Sequence, residues 1–206
     1  MKSIHQRILD IAAPYLETRH NDLHVREALQ LIWKLLEQVQ ADEDIVIPAL
    51  ILHDVGWKMV PEELHLRAFG PAEFDEGLRR VHEIEGARIA RSILAEIGYD
   101  QTKIDEITRI IDGHDSRVEA ISINDQLVKD CDKLTRFGGQ WFDVDSERFN
   151  IPPKALAEWL EKQIPRWFFT DVAKHLAAEY LTRKRADIET GTRCPKNESP
   201  SETQPV

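Results

Sequence analysis

The 206-residue chain has only two cysteines, Cys131 and Cys194, so disulfides cannot hold a fold of this size together. Its longest apolar run, at 45–52, is well short of the roughly 20 residues that cross a membrane. Charged residues interrupt the apolar residues of the N-terminus, which is unlike a secretory signal. We therefore expect a cytoplasmic protein with no membrane partner.

The chain also lacks an excess of basic residues, because 27 Lys and Arg are outnumbered by 37 Asp and Glu, giving a net charge of −10. This charge argues against non-specific binding to nucleic acid and against binding to anionic membranes. A local basic pocket for a small anion remains compatible with it. There is no alternating strand pattern, no internal repeat and no glycine-rich phosphate-binding loop.

Helical periodicity dominates instead. Ile4, Ile8 and Ile11 fall on one face of a first predicted helix. The segment that begins at Asp44, a predicted N-cap, and ends at Gly56, a predicted residue after the helix C-terminus, is apolar on nearly all sides. Pro48 is placed in its first turn, where the missing N–H costs little. We predict an all-α, single-domain helical bundle of about seven to nine helices, with 44–56 as its central buried helix.

The predicted domain spans 1–190. Its last two helices are expected near 152–164 and 167–189, and the tail 191–206 is expected to be disordered because it has almost no apolar residues. The stretch 57–78 contains several prolines and glycines, so we expect a long surface excursion that forms a binding element or lid. The aromatic-rich segment 159–169 is a candidate interface for a homo-oligomer.

One group of polar residues calls for a chemical explanation. His53 and Asp54 end the most apolar predicted helix, where burying a charge is costly unless it is paired or bound to metal. Imidazole nitrogen and carboxylate oxygen are both good ligands for first-row divalent metals. His24 begins the second predicted helix between apolar residues, and Asp132 is embedded among apolar residues of a later one. His20 is the alternative to His24, and the apolar flanks favour His24.

A separate histidine, an adjacent His-Asp pair at the end of an apolar helix and a distant Asp before a basic residue and leucine resemble the HD superfamily of metal-dependent phosphohydrolases. The resemblance covers roughly 18–140 and implies an HD-type helical bundle. Asp130 competes with Asp132, but the family pattern selects the acid before Lys133 and Leu134. The resemblance implies one or two divalent ions (Mn, Fe, Co, Ni, Zn or Mg) per chain, with four ligands: His24, His53, Asp54 and Asp132.

Some branches of the superfamily carry two further histidines. His82 and His114 fill those positions here, and the resemblance implies either a second metal, with Asp54 bridging the pair, or histidines that contact the substrate phosphate. Asp54, His82 and His114 are accordingly the candidate catalytic residues. Glu83 and Asp115 adjoin these histidines, and each is either a proton shuttle or a solvated acid, of which the solvated acid is favoured.

The expected function is that of a metal-dependent phosphohydrolase, which cleaves a small phosphate ester such as a nucleotide with metal-activated water. Lys58, Arg117 and Lys133 are candidates for binding the substrate phosphate, because lysine and arginine match its charge. A di-iron, O₂-dependent oxygenase of the same superfamily is one alternative. A nucleotide-sensing module without turnover is another.

Overall fold

The computed structural model describes residues 1–69 and 75–191, and within them the chain forms ten α-helices and three short 3-10 helices, with no β-strand. The α-helices are α1 Ser3–Leu16, α2 Asn21–Leu36, α3 Glu43–Leu52, α4 His65–Phe69, α5 Glu76–Glu96, α6 Gln101–Ile111, α7 Ile123–Leu134, α8 Gly139–Arg148, α9 Pro153–Trp167 and α10 Asp171–Thr190. The 3-10 helices are Val55–Met59, Glu62–Leu64 and Thr135–Phe137. The all-α prediction is confirmed.

The ten helices exceed the expected seven to nine because α8 was not recognised in the sequence, whereas the excursion 57–78 was allowed one short helix, the place that α4 takes. α4 has only five residues. α8 begins at the second of two consecutive glycines, and a distant residue completes its N-terminus: the Glu27 carboxylate on α2 accepts the N–H of Gln140 at 2.8 Å. Among the described residues, none of the helices combines the length and the apolar character that a membrane span requires.

α3 is the buried centre of the fold, as the sequence predicts, with every residue at 45–52 buried against α1, α2, α6 and α7. Its N-cap is Asp42, whose carboxylate accepts the N–H of Asp44, so the prediction of Asp44 as N-cap was wrong. Pro48 lies in the middle of α3 and not in its first turn. Because proline has no N–H, the Asp44 carbonyl loses its helical donor, and the Tyr99 hydroxyl donates to it at 2.7 Å.

Gly56 allows the turn after α3 to pack directly against α5. A Cβ atom at this position would lie 1.9 Å from the His82 carbonyl oxygen and 2.5 Å from the Gly86 nitrogen. Gly56 belongs to the 3-10 helix Val55–Met59 and does not terminate α3, so its predicted role was wrong. The close approach brings the His53–Asp54 turn beside the α5 residues that follow His82.

The C-terminal helices complete the core, and α10 packs against both α7 and α9. Leu156 and Leu160 of α9 and Leu181 of α10 are buried in the same apolar core as α3. Asp130 on α7 fixes the start of α10, because its carboxylate accepts the N–H groups of Phe169 at 2.7 Å and Thr170 at 2.9 Å. α9 and α10 are therefore part of the globular unit.

The described part of the excursion 57–78 contains two 3-10 helices and α4, with a small apolar cluster of Trp57, Val60 and Ala68. The excursion ends earlier than predicted, because α5 already begins at Glu76. The rest of the excursion, 70–74, lies outside the described residues, as does 192–206 of the tail that the sequence predicts to be disordered.

Candidate metal centre

Two histidines are oriented by the ends of the helices that carry them. His53 is the C-cap of α3, and its Nδ1–H donates to the Leu50 carbonyl at 2.8 Å. His114 follows α6, and its Nδ1–H donates to the Ile111 carbonyl at 2.9 Å. Because a carbonyl only accepts, Nδ1 is the protonated nitrogen in the neutral ring and the Nε2 lone pair faces away from the helix. Such a backbone partner is typical of metal-binding histidines.

The first cluster consists of His24, His53 and Asp132, all buried. The Nε2 atoms of His24 and His53 are 3.0 Å apart, and the Asp132 Oδ1 atom lies 3.1 Å from His24 Nε2 and 3.7 Å from His53 Nε2. Two imidazole nitrogens that face each other beside a carboxylate are stable only with a proton or a cation between them. This donor set fits a divalent cation.

The second cluster consists of His82, His114 and Asp115. The two Nε2 atoms are 3.3 Å apart, and the Asp115 Oδ2 atom lies 3.7 Å from His82 Nε2 and 3.9 Å from His114 Nε2. Asp115 is a residue that the sequence analysis took for a solvated acid. Its side chain is a quarter exposed and pairs with Lys133, so that expectation was wrong. This set also fits a divalent cation.

Asp54 lies between the two clusters and faces both. Its Oδ2 atom is 3.6 Å from His53 Nε2 in the first cluster. Its Oδ1 atom is 3.6 Å from His114 Nε2 and 3.9 Å from His82 Nε2 in the second. One carboxylate with an oxygen toward each cluster has the arrangement that a bridge between two cations requires.

The surroundings of the buried histidines shift their pKa values in opposite directions. Although burial opposes a charge on His53, the carboxylates of Asp54 and Asp132 raise its pKa to about 9. Burial, reinforced by the neighbouring His114, lowers the pKa of His82 to about 3. Burial opposes ionisation of Asp54 as well, but His53 and His114 hold the pKa of its carboxyl well below the usual range. The carboxylates are therefore ionised and His82 is neutral at pH 7.

Two tryptophans pack against the histidines that lack a backbone partner. The Nδ1 atoms of His24 and His82 have no hydrogen-bond partner among the described residues. Trp57 stacks on His82, and its Nε1–H donates to Asp54 Oδ1 at 3.0 Å. Trp141 packs on His24 with ring centroids 4.8 Å apart. An indole ring thus packs against each of the two histidines whose Nδ1 atom has no hydrogen-bond partner in the described part of the chain.

Basic side chains surround the carboxylates. Lys133 Nζ contacts Asp132 Oδ2 at 2.8 Å and also Asp115, so this predicted phosphate-binding residue lies at the centre. Three arginines near the clusters were missed in the sequence: Arg19, Arg136 and Arg148. Arg19 lies over the Trp57 ring and Arg148 lies over the Trp141 ring. The position of Arg136, four residues after Asp132, is the one local pattern that could have indicated such a residue.

The other two predicted phosphate-binding residues lie elsewhere. The Arg117 guanidinium donates to the carbonyls of Arg109 and Asp112 at the end of α6 and pairs with Asp125, so it is not directed into the centre. Lys58 is exposed beside a surface cleft.

The two alternative ligands are also resolved by their positions. His20 is exposed, with a left-handed φ of 62°, between α1 and α2. The Asp130 carboxylate accepts the N–H groups of Phe169 and Thr170 before α10. The structure therefore brings His24 and Asp132 into the first cluster, and not these neighbours.

Comparison with known proteins places this arrangement in a family. The family model of the HD domain matches residues 22–136, more than half of the chain. A crystal structure of a predicted HD superfamily hydrolase from an uncultured Thermotogales bacterium has a similar fold, with a TM-score of 0.59, 17% sequence identity and 90% of each chain covered. No curated protein matches the sequence. The residues of both clusters lie inside the matched region, and the chain belongs to the HD-domain family.

Proposed function

We propose that this protein is a metal-dependent hydrolase that cleaves a small phosphate ester, such as a nucleotide, at a centre of two cations. One cation is held by His24, His53 and Asp132, and the other by the second cluster, with Asp54 between them. The observation that carries the proposal is the position of Asp54, whose two oxygens face different clusters.

Divalent cations at such a centre supply Lewis acidity, which stabilises charge on a phosphoryl group and makes water nucleophilic at neutral pH. Asp54 is ionised and accepts the indole N–H of Trp57, so its carboxylate is fixed in place. Burial opposes the charge of Lys133, but Asp115 and Asp132 raise its pKa. Its ammonium group therefore stays protonated and can bind an anionic oxygen.

Local positive charge supports an anionic substrate despite the net charge of −10. Burial opposes the charge of Arg136, but its partner Asp145 and the carboxylates of Asp132, Asp115 and Asp54 raise the pKa of its guanidinium. A guanidinium in this position offers a planar set of donors that matches phosphate oxygens. A phosphorylated small molecule fits this pairing of carboxylates and cations better than a neutral substrate does.

The test combines metal analysis with a reaction screen. Elemental analysis after native purification measures bound metal, and phosphate release is screened over nucleotides and small phosphomonoesters. His53→Ala and Asp54→Asn are expected to lose bound metal and phosphate release together. His175→Ala, a change on the exposed face of α10, is the matched control and is expected to retain both.

Three outcomes would contradict the proposal. Wild-type turnover in the His53 or Asp54 variant would show that these residues do not form the active site. Two irons with substrate-dependent O₂ consumption would identify the oxygenase alternative. Stabilisation by a nucleotide with no product would identify a sensing module.

A further inference from the structure

Lys129 on α7 is buried, but its side chain does not enter either cluster. Its Nζ atom donates to three backbone carbonyls, those of Gly113 at 2.7 Å, His114 at 2.9 Å and Arg117 at 2.8 Å. An ammonium group has three hydrogens, so all of them are used. All three acceptors belong to the loop that follows α6 and carries His114 and Asp115.

Glu83 holds the same loop from the other side. It is fully buried on α5, and its Oε1 atom accepts the N–H groups of Asp115 and Ser116 at 2.8 Å each. The loop is thus fixed through its carbonyls by a cation and through its amides by an anion. Charge-assisted hydrogen bonds of this kind are about twice as strong as neutral ones. Glu83 was expected to be a solvated acid, and its burial overturns that expectation.

The position of Lys129 on α7 links the two clusters. It lies one helical turn before Asp132, a member of the first cluster, while its contacts hold the backbone of the second. Lys133 lies four residues after Lys129 on the same helix, and its side chain contacts the Asp115 carboxylate. Two lysines on one face of α7 therefore hold this loop, one by its backbone and one by its carboxylate.

We propose that Lys129 is a positioning residue that holds the second cluster in register with the first, an inference that rests on the proposed two-cation centre. Without its ammonium group, three buried carbonyls lose their donor and the loop loses its fixed distance from α7. The second cation should then bind more weakly, whereas His24, His53 and Asp132 keep the first. Lys129 contacts no reacting group and is not a catalytic residue.

The experiment titrates the full-length, metal-stripped protein with Mn²⁺ by calorimetry. Lys129→Met keeps the apolar stem and removes the donors. We expect the wild type to bind two ions, and the variant to bind the first normally and the second roughly 10–100-fold more weakly, as for other changes outside the ligand shell. Amide hydrogen exchange should accelerate at 113–117. Lys154→Met on the exposed face of α9 is the control and should bind two ions.

Lys129→Arg, which keeps the positive charge, should recover part of the affinity for the second ion. If the Met variant does not fold, the Arg variant decides: selective weakening of the second ion supports the proposal, and equal weakening of both overturns it. Normal binding of two ions by Lys129→Met also overturns it and leaves the proposed function intact. A wild type that binds fewer than two ions contradicts the two-cation centre itself and this inference with it.

Discussion

Trp57 lies parallel to His82, with ring centroids 4.0 Å apart and an interplanar angle of 12°. The same indole donates its N–H to Asp54, so one side chain contacts both the carboxylate between the clusters and a histidine of the second cluster. Metal-binding histidines usually donate Nδ1–H to a carbonyl or carboxylate. For His82, the stacked face of the Trp57 indole orients the ring instead.

Replacing Trp57 separates its two contacts. Trp57→Phe keeps a ring against His82 and removes the donor to Asp54, whereas Trp57→Leu removes both. We expect the Phe variant to bind the second cation about 10-fold more weakly and the Leu variant about 100-fold more weakly. Mn²⁺ calorimetry measures this, with the half-exposed Trp159→Phe as control. Normal affinity in the Leu variant would show that stacking does not orient His82.

Cation binding should depend on pH through His53. In the metal-free protein its pKa is raised to about 9, so between pH 6.5 and 9 the folded state keeps a proton that an ordinary histidine would already have lost, and a bound cation must displace it. Affinity for the first cation should therefore rise about tenfold per pH unit over this range and level off above it. The stability of the metal-free protein should change in the opposite direction. The raised pKa of His53 contributes fully to the free energy of unfolding below pH 6.5, and this contribution is lost as the pH rises through about 9.

Calorimetry in buffers with different ionisation enthalpies would count the released protons directly. An affinity for Mn²⁺ that does not change across this range would contradict the assignment of His53 as a protonated residue in the metal-free protein.

Substitution of Asp130 should lower stability without loss of metal, whereas substitution of Asp132 should remove a bound metal ion. Asp130→Ala leaves the amides of Phe169 and Thr170 without their acceptor and should lower the free energy of unfolding by about 2 kcal/mol. Its metal stoichiometry should be unchanged. Asp132→Ala should lose the first cation, because it removes a member of that cluster. Urea unfolding and metal analysis of both variants test this, and loss of an ion from the Asp130 variant would contradict it.

Gly56→Ala should disturb both stability and the second cluster. The new Cβ would overlap the backbone of α5 at His82 and Gly86, neither of which can move without shifting the helix. We expect a loss of about 3 kcal/mol of unfolding free energy and weaker binding of the second cation. Gly77→Ala is the matched control, because its Cβ would meet only the Asp75 side chain, at 3.2 Å. Equal effects of the two changes would show that close packing at Gly56 is not special.

Part of the centre could be predicted from the sequence because its chemistry is local. A His-Asp pair at the end of an apolar helix signals an unusual burial of charge, wherever the chain goes next. Asp115 was not predicted because an acid beside a histidine has the same sequence pattern whether it is solvated or turned inward. Its orientation depends on the loop that Lys129 and Glu83 hold, and those contacts join residues far apart in the sequence.

The elements that sequence reasoning missed share a cause. α8 begins at the second of two glycines with no local side-chain cap, and the N–H groups of Gln140 and Trp141 donate to Glu27 on α2. Arg19 and Arg148 come from segments distant in the sequence and meet only in the folded protein, where Arg148 donates to the Arg19 carbonyl at 2.9 Å. Periodicity reports which face of a helix is buried, and it carries no information on such partners.

The hydrogen bonds between Asp130 and the start of α10 have a practical consequence for anyone who trims this chain. The HD-domain match stops at 136, yet a buried carboxylate two positions from Asp132 takes its donors from residues 169 and 170. A fragment that ends at the boundary of the family match would leave the Asp130 carboxylate without these donors. It would also expose the face of α7 that α10 covers. We therefore expect the smallest unit that folds on its own to extend past residue 136, through the last helix.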